Sequence, residues 1–166
     1  MKKLMLMAVM MLMSIGAFAQ AGKMAVGTQL GYAGYGDGYS PLGIGAKFQY
    51  GFTDAIRGEL SYDYWFPKDK VGCWDANLNF HYLVDMAENM KVYPLAGVTL
   101  VGLHGDDTPS DKAFGFNIGA GFQYLVSEDI NLFAEAKYQS AKKEEHGINI
   151  VKAQGPIINI GFTVAF

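Results

Sequence analysis

Two groups of side chains in this sequence have types and spacings that could carry chemistry. The first is polar and lies late in the chain, with His104, Asp106, Asp107 and Ser110 in one stretch and Ser140, Glu144, Glu145 and His146 in another. Acyl transfer or hydrolysis would need a nucleophile held by a base and a carboxylate orienting that base. Those residue types are present, yet no His-x-Ser pairing is, and both stretches read as solvated connections rather than rigid elements. Asp106, Asp107 and Asp111 lack the alternating acids and glycine of a calcium loop. The single cysteine, Cys73, and the three histidines have no zinc or haem spacing. No metal and no cofactor is expected.

The second group is Lys47, Arg57, Glu59, His81, Glu135 and Lys137. Each occupies an alternate position in a segment whose other face is apolar. In residues 42–51, Leu42, Ile44, Ala46, Phe48 and Tyr50 alternate with Gly43, Gly45, Lys47 and Gln49. In residues 55–66, Ile56, Leu60, Tyr62, Tyr64 and Phe66 oppose Arg57, Glu59, Ser61 and Asp63. Residues 71–84 set Trp74, Ala76, Leu78, Phe80 and Tyr82 against Cys73, Asp75, Asn77, Asn79 and His81, and residues 130–140 set Leu132, Ala134, Ala136 and Tyr138 against Asn131, Glu135, Lys137 and Gln139. A period of two is that of a strand with differing environments on its two sides.

Four further segments complete the pattern: 23–35, 91–103, 113–126 and 156–166. Alternation is clear in 113–126 and weaker in 91–103, where Pro94 removes a ladder donor. A Lys or Arg facing lipid at mid-depth costs roughly 2–4 kcal/mol, so the charged faces must line a lumen and the apolar faces must meet lipid. The predicted fold is all-β: an eight-stranded antiparallel up-and-down transmembrane β-barrel. A soluble lipocalin-like barrel has the opposite sidedness, and Arg57, Glu59, Glu135 and Lys137 argue against it. The even count lets residues 156–166 pair with the first strand and leaves no edge in lipid. It also puts both termini on one side, the periplasm, with short turns at Phe52, Asp85 and Ser127 and longer outward connections at Gly36, Pro67, His104 and residues 141–152.

Residues 1–19 stand apart. Lys2 and Lys3 precede an apolar run, and Ala17-Phe18-Ala19 is a small-x-small cleavage site, so 1–19 is expected to be a signal peptide and 20–166 the barrel domain. As a retained anchor the run is too short for a span of ~20 residues. Its removal leaves 11 basic against 16 acidic residues, since both of its charges are lysines. A net charge of −5 makes nucleic acid an implausible partner. The glycines of 36–41 neither follow a parallel strand nor open a helix, so they do not read as a nucleotide loop.

Inside the barrel, a hairpin pivoting on Thr53 would set Lys47 across from Glu59 and Gln49 across from Arg57. An eight-stranded barrel is only wide enough for side chains to fill. The six charged residues are therefore expected to meet as a hydrogen-bonded, charge-paired plug, acting as a stabilising polar core or as the gate of a narrow ion path.

Several stretches are similar to a known family. Tyr50-Gly-Phe-Thr-Asp54, Tyr93-Pro-Leu-Ala-Gly97, Asn131-Leu-Phe-Ala-Glu-Ala-Lys-Tyr138 and the terminal Phe166 resemble the outer-membrane β-barrel domain family that includes the OmpA membrane domain, OmpX and opacity-type surface proteins. The resemblance implies residence in the outer membrane of a Gram-negative cell, as a monomer among membrane lipid and lipopolysaccharide. It implies recognition by the barrel assembly machinery through the strand ending at Phe166, and a structural or surface-interaction role. A narrow gated pore and a lipid A-modifying enzyme are the alternatives, because the family shares architecture more than activity.

Overall fold

The computed structural model describes residues 22–35, 40–68, 71–105, 112–145 and 148–166, with side chains described at all of these except 68, 71, 104, 105, 144, 145 and 148–152. The expected signal peptide, residues 1–19, lies outside them, as do residues 36–39 of the glycine-rich connection. The strands are β1 (Met24–Ala33), β2 (Leu42–Gly51), β3 (Ile56–Lys68), β4 (Val71–Tyr82), β5 (Val84–Ala87), β6 (Met90–Gly105), β7 (Lys112–Leu125), β8 (Ile130–Glu145) and β9 (Ile148–Ala165), with no helix among the described residues.

β4 and β5 both pair with β6, so they form one barrel strand interrupted at Leu83 and nine segments make eight strands. The interruption falls opposite Pro94. The β4–β6 ladder reaches His81↔Leu95, and the β5–β6 ladder starts at Val84↔Val92. Proline has no N–H to offer the missing rungs. β4 also pairs with β3, so the antiparallel sheet closes on itself. β1 and β9 are hydrogen-bonded neighbours from Ala25↔Ala165 to Ala33↔Ile157, leaving no free edge at the seam.

The alternation sorts side chains as a membrane barrel requires. Leu30, Ile44, Leu60, Phe80, Phe116, Ile118, Leu132 and Ile160 are exposed on the outside, whereas Gln29, Lys47, Glu59, Asp63, Asn77, Asn117, Gln139 and Asn159 are buried within. β6 obeys the same rule despite its weaker pattern, with Pro94, Ala96 and Val98 outward and Tyr93, Leu95 and Thr99 inward.

Three expectations are corrected. The β2–β3 register is Lys47↔Ser61, Gln49↔Glu59 and Gly51↔Arg57, two residues from the register of a Thr53 pivot. The cause is the turn: Phe52 N and Thr53 N both donate to the Ile56 carbonyl at 2.9 and 3.1 Å, and Thr53 Oγ1 accepts from Ala55 N and Ile56 N. A shift of two preserves every side chain's face, which is why the alternation could not detect it. Secondly, residues 141–152 are not a long link, because β8 extends to Glu145 and β9 begins at Ile148. Thirdly, the stretch around Asp85 is mostly strand, with Glu88 and Asn89 alone in the turn.

Three inward aromatics sit directly across from glycines: Trp65 from Gly43, Tyr93 from Gly121 and Phe133 from Gly161. A Cβ at any of these glycines would overlap the facing ring, so its absence is what lets the ring lie across the neighbouring strand. Gly121→Val is accordingly expected to destabilise the barrel by about 1–3 kcal/mol, the cost of overpacking. A urea titration followed by Trp fluorescence reads this as an earlier midpoint.

Candidate functional site inside the barrel

The registers stack the lumen in layers. From the end where β1 begins and β9 ends, one wall presents Arg57 and His81, then Gln49, Glu59 and Asn79, then Lys47, Ser61, Asn77 and Thr99, then Asp63, Asp75 and Val101, then Trp65 and Cys73. β7, β8 and β9 supply the opposite wall, including Gln123, Asn131, Phe133, Glu135 and Lys137.

At the centre Lys47 Nζ lies 2.9 Å from Glu59 Oε2 and 2.9 Å from Glu135 Oε1, a cation clamped by carboxylates from two walls. It also sits over the Phe133 ring, 3.9 Å from the centroid. Further hydrogen bonds reach the carboxylates from Gln49 Nε2 to Glu59 Oε2 at 2.7 Å, Asn79 Nδ2 to Glu59 Oε1 at 3.4 Å and Tyr93 Oη to Glu135 Oε1 at 2.8 Å. Ion pairing backed by hydrogen bonds is what makes a buried charge tolerable.

Toward the end where β1 begins and β9 ends, the His81 ring stacks on Tyr93 at a centroid distance of 4.7 Å. Arg57 donates from Nε to His81 Nδ1 at 3.3 Å, its Nη2 approaches the same nitrogen at 3.0 Å, and its Nη1 donates to Gln123 Oε1 at 2.7 Å. Toward the other end, Asp63 accepts from Gln29 Nε2 at 2.5 Å, while Asp75 accepts from Trp65 Nε1 and Asn77 Nδ2, each at 2.5 Å. Above them the lumen turns apolar, with Ala33, Tyr35, Trp65, Cys73, Val101, Ala141 and Ile157 packed together. Alternation marks this end as inward-facing but does not predict its loss of polarity.

Of the six charged residues singled out in the sequence, Lys47, Glu59, Glu135, His81 and Arg57 form one contiguous network. Lys137 is buried in the same lumen, two residues further along β8 than Glu135, and makes no ion pair among the described residues. Tyr93, Gln123, Asp63, Asp75 and Trp65 belong to the network as well. Asp63 and Asp75 were legible as inward residues; Tyr93 was hidden by the weak alternation of its strand. Of the rim candidates for acyl chemistry, Ser140 is half-buried in β8, Asp106, Asp107, Ser110 and His146 lie outside the described residues, and the side chains of His104, Glu144 and Glu145 do too.

Glu59, His81 and Glu135 have ligand atoms within 4.8 Å of one another, a spacing that could hold a metal ion. Their hydrogen bonds do not suit one. The Lys47 ammonium already fills the space between the carboxylates. Because Nδ1 of His81 accepts from Arg57, the neutral ring carries its proton on Nε2 and has no lone pair there.

A closed antiparallel barrel with an apolar exterior and a buried, charge-paired interior defines a transmembrane β-barrel. The chain belongs to the outer membrane protein beta-barrel domain family, whose model matches residues 5–166. That membership assigns it to the outer membrane. Comparison with curated protein sequences gives no match. Among solved structures, the chain is similar to the N-terminal beta-barrel domain of Pseudomonas aeruginosa OprF, with a TM-score of 0.69 and 18% identity over 88% of this chain and 98% of that one. OprG from Pseudomonas aeruginosa gives 0.68 and 16%, covering 91% and 98%. Neisserial surface protein A gives 0.65 and 20%, covering 87% and 96%. At these identities the likeness is one of fold.

Proposed function

We propose that this protein is a structural or surface-interacting barrel of the outer membrane whose lumen is a closed polar plug. The observation that carries the reading is the Lys47 clamp, which ties β2, β3 and β8 together across the interior beneath the apolar Trp65 layer. A conducting path would have to part a desolvated ion triad and then cross apolar side chains. Residues 1–19 act as a cleaved signal peptide, and both termini of the mature chain face the periplasm. The barrel works as a monomer, with membrane lipid and lipopolysaccharide as its neighbours, and its assembly is directed by the strand ending at Phe166.

Planar bilayers test the plug. The purified barrel is expected to give no conductance steps, whereas stable steps whose size changes in Lys47→Ala or Glu59→Ala would establish the narrow gated pore instead. Lipid A acylation is expected to stay unchanged on expression. A mass shift lost in His104→Ala or His146→Ala would return the enzyme reading.

A further inference from the structure

Arg57 is the only arginine of the chain, and it is buried, with 7% of its surface exposed. Its partners are neutral: His81 Nδ1, Gln123 Oε1 and the face of Tyr93, 5.0 Å from the ring centroid. No carboxylate lies within ion-pair distance among the described residues. Glu59 stands one layer deeper, but its oxygens face Lys47, Gln49 and Asn79, and the His81 ring lies between it and the guanidinium. A buried cation without a contacting anion is a costly arrangement.

Beside Arg57 there is space. A cavity of about 50 Å³ at the mouth beside the start of β1 and the end of β9 is lined by Arg57, Gln49, Gln123, Asn131 and Lys23. That is several times the ~10–15 Å³ that one water needs by the same measure. Donors face it. Three of the five guanidinium N–H groups are engaged with His81 and Gln123, which leaves two without a partner among the described residues. Gln123 Nε2 donates to Asn131 Oδ1 at 2.8 Å, so the Asn131 amide turns its NH₂ group away from Gln123. Glu128, the acid among the lining residues, is exposed at the rim, where water screens it.

We propose that this mouth binds one small inorganic anion of halide size, held by the free N–H groups of Arg57 and the amide of Asn131. The anion supplies the negative charge that the lumen does not place against Arg57. The cavity's size selects for a monatomic ion over a bulky organic anion.

A single arginine makes the test direct, since the ¹⁵N-arginine-labelled barrel in lipid nanodiscs has one Nε–Hε signal. Replacing gluconate by chloride at constant ionic strength is expected to move that signal along a single-site saturating curve, and bromide to do the same. Asn131→Leu, which fills the cavity and keeps the guanidinium, should raise the midpoint about tenfold, the scale of one lost hydrogen bond to a charged group. Chloride line broadening gives a second readout: the excess caused by the native barrel should vanish in Arg57→Gln. If Arg57→Gln does not fold, judged by heat-modifiable gel mobility, the Asn131→Leu titration decides alone. No shift, a shift that never saturates, or an unchanged midpoint in Asn131→Leu overturns the site.

Discussion

Replacing Lys47 by alanine is expected to lower the unfolding free energy of the barrel by about 3–5 kcal/mol, the penalty for removing one partner of a buried ion pair. The loss arises from what remains. Glu59 and Glu135, which approach the same ammonium from opposite walls, would be left buried with no cation between them. Gln49, Asn79 and Tyr93 still donate to them, but neutral donors do not cancel two charges. Urea titration of the refolded protein in vesicles, followed by gel mobility, measures the effect. The triple variant Lys47→Met, Glu59→Gln, Glu135→Gln separates charge from packing: removing all three charges together should recover most of the loss, as replacing a whole buried ion network often does. A change below about 1 kcal/mol in Lys47→Ala would mean that lumen water screens the triad like a surface pair.

This expectation also shows what the sequence could and could not specify. Alternation placed Lys47, Glu59 and Glu135 in one lumen, because only one face of each strand can carry charge without meeting lipid. A hairpin pivot at Thr53 paired Lys47 with Glu59 by the wrong register. The two still meet, since a lysine is long enough to reach a diagonal neighbour, and the four-residue turn held by Thr53 decided the rung. The cross-lumen partner Glu135 is 88 residues away, and its contact depends on closure of the barrel rather than on any local signal.

Other features were invisible for different reasons. The upper part of the β8–β9 hairpin has polar residues on both faces, Lys142 and Lys143 among them, and so lacks the period that marks a lipid-crossing strand. The break at Leu83 is caused by Pro94 on another strand, a coupling visible only once β4 and β6 are neighbours. The apolar end of the lumen follows from Trp65, Val101 and Ile157 meeting from β3, β6 and β9, each an unremarkable residue in its own segment.

The outer face supplies the second large effect, and it depends on surroundings rather than contacts. Leu60 sits mid-way along β3, 57% exposed, between the outward residues Phe48 and Leu78 of its neighbours. On a water-soluble barrel an exposed leucine could become arginine for within about 0.5 kcal/mol. In the outer membrane the same change brings a guanidinium to mid-depth in the hydrocarbon, and Leu60→Arg is expected to cost about 2–4 kcal/mol. Leu60→Ala, which removes side-chain volume without adding charge, separates the lipid penalty from lost packing. Since the penalty falls toward ~0–1 kcal/mol near the interfaces, the same substitution at Phe114, two residues from the start of β7 and 67% exposed, should cost far less. Equal costs at positions 60 and 114 would show that these two residues do not differ in depth, and would shift the assigned span along the strands.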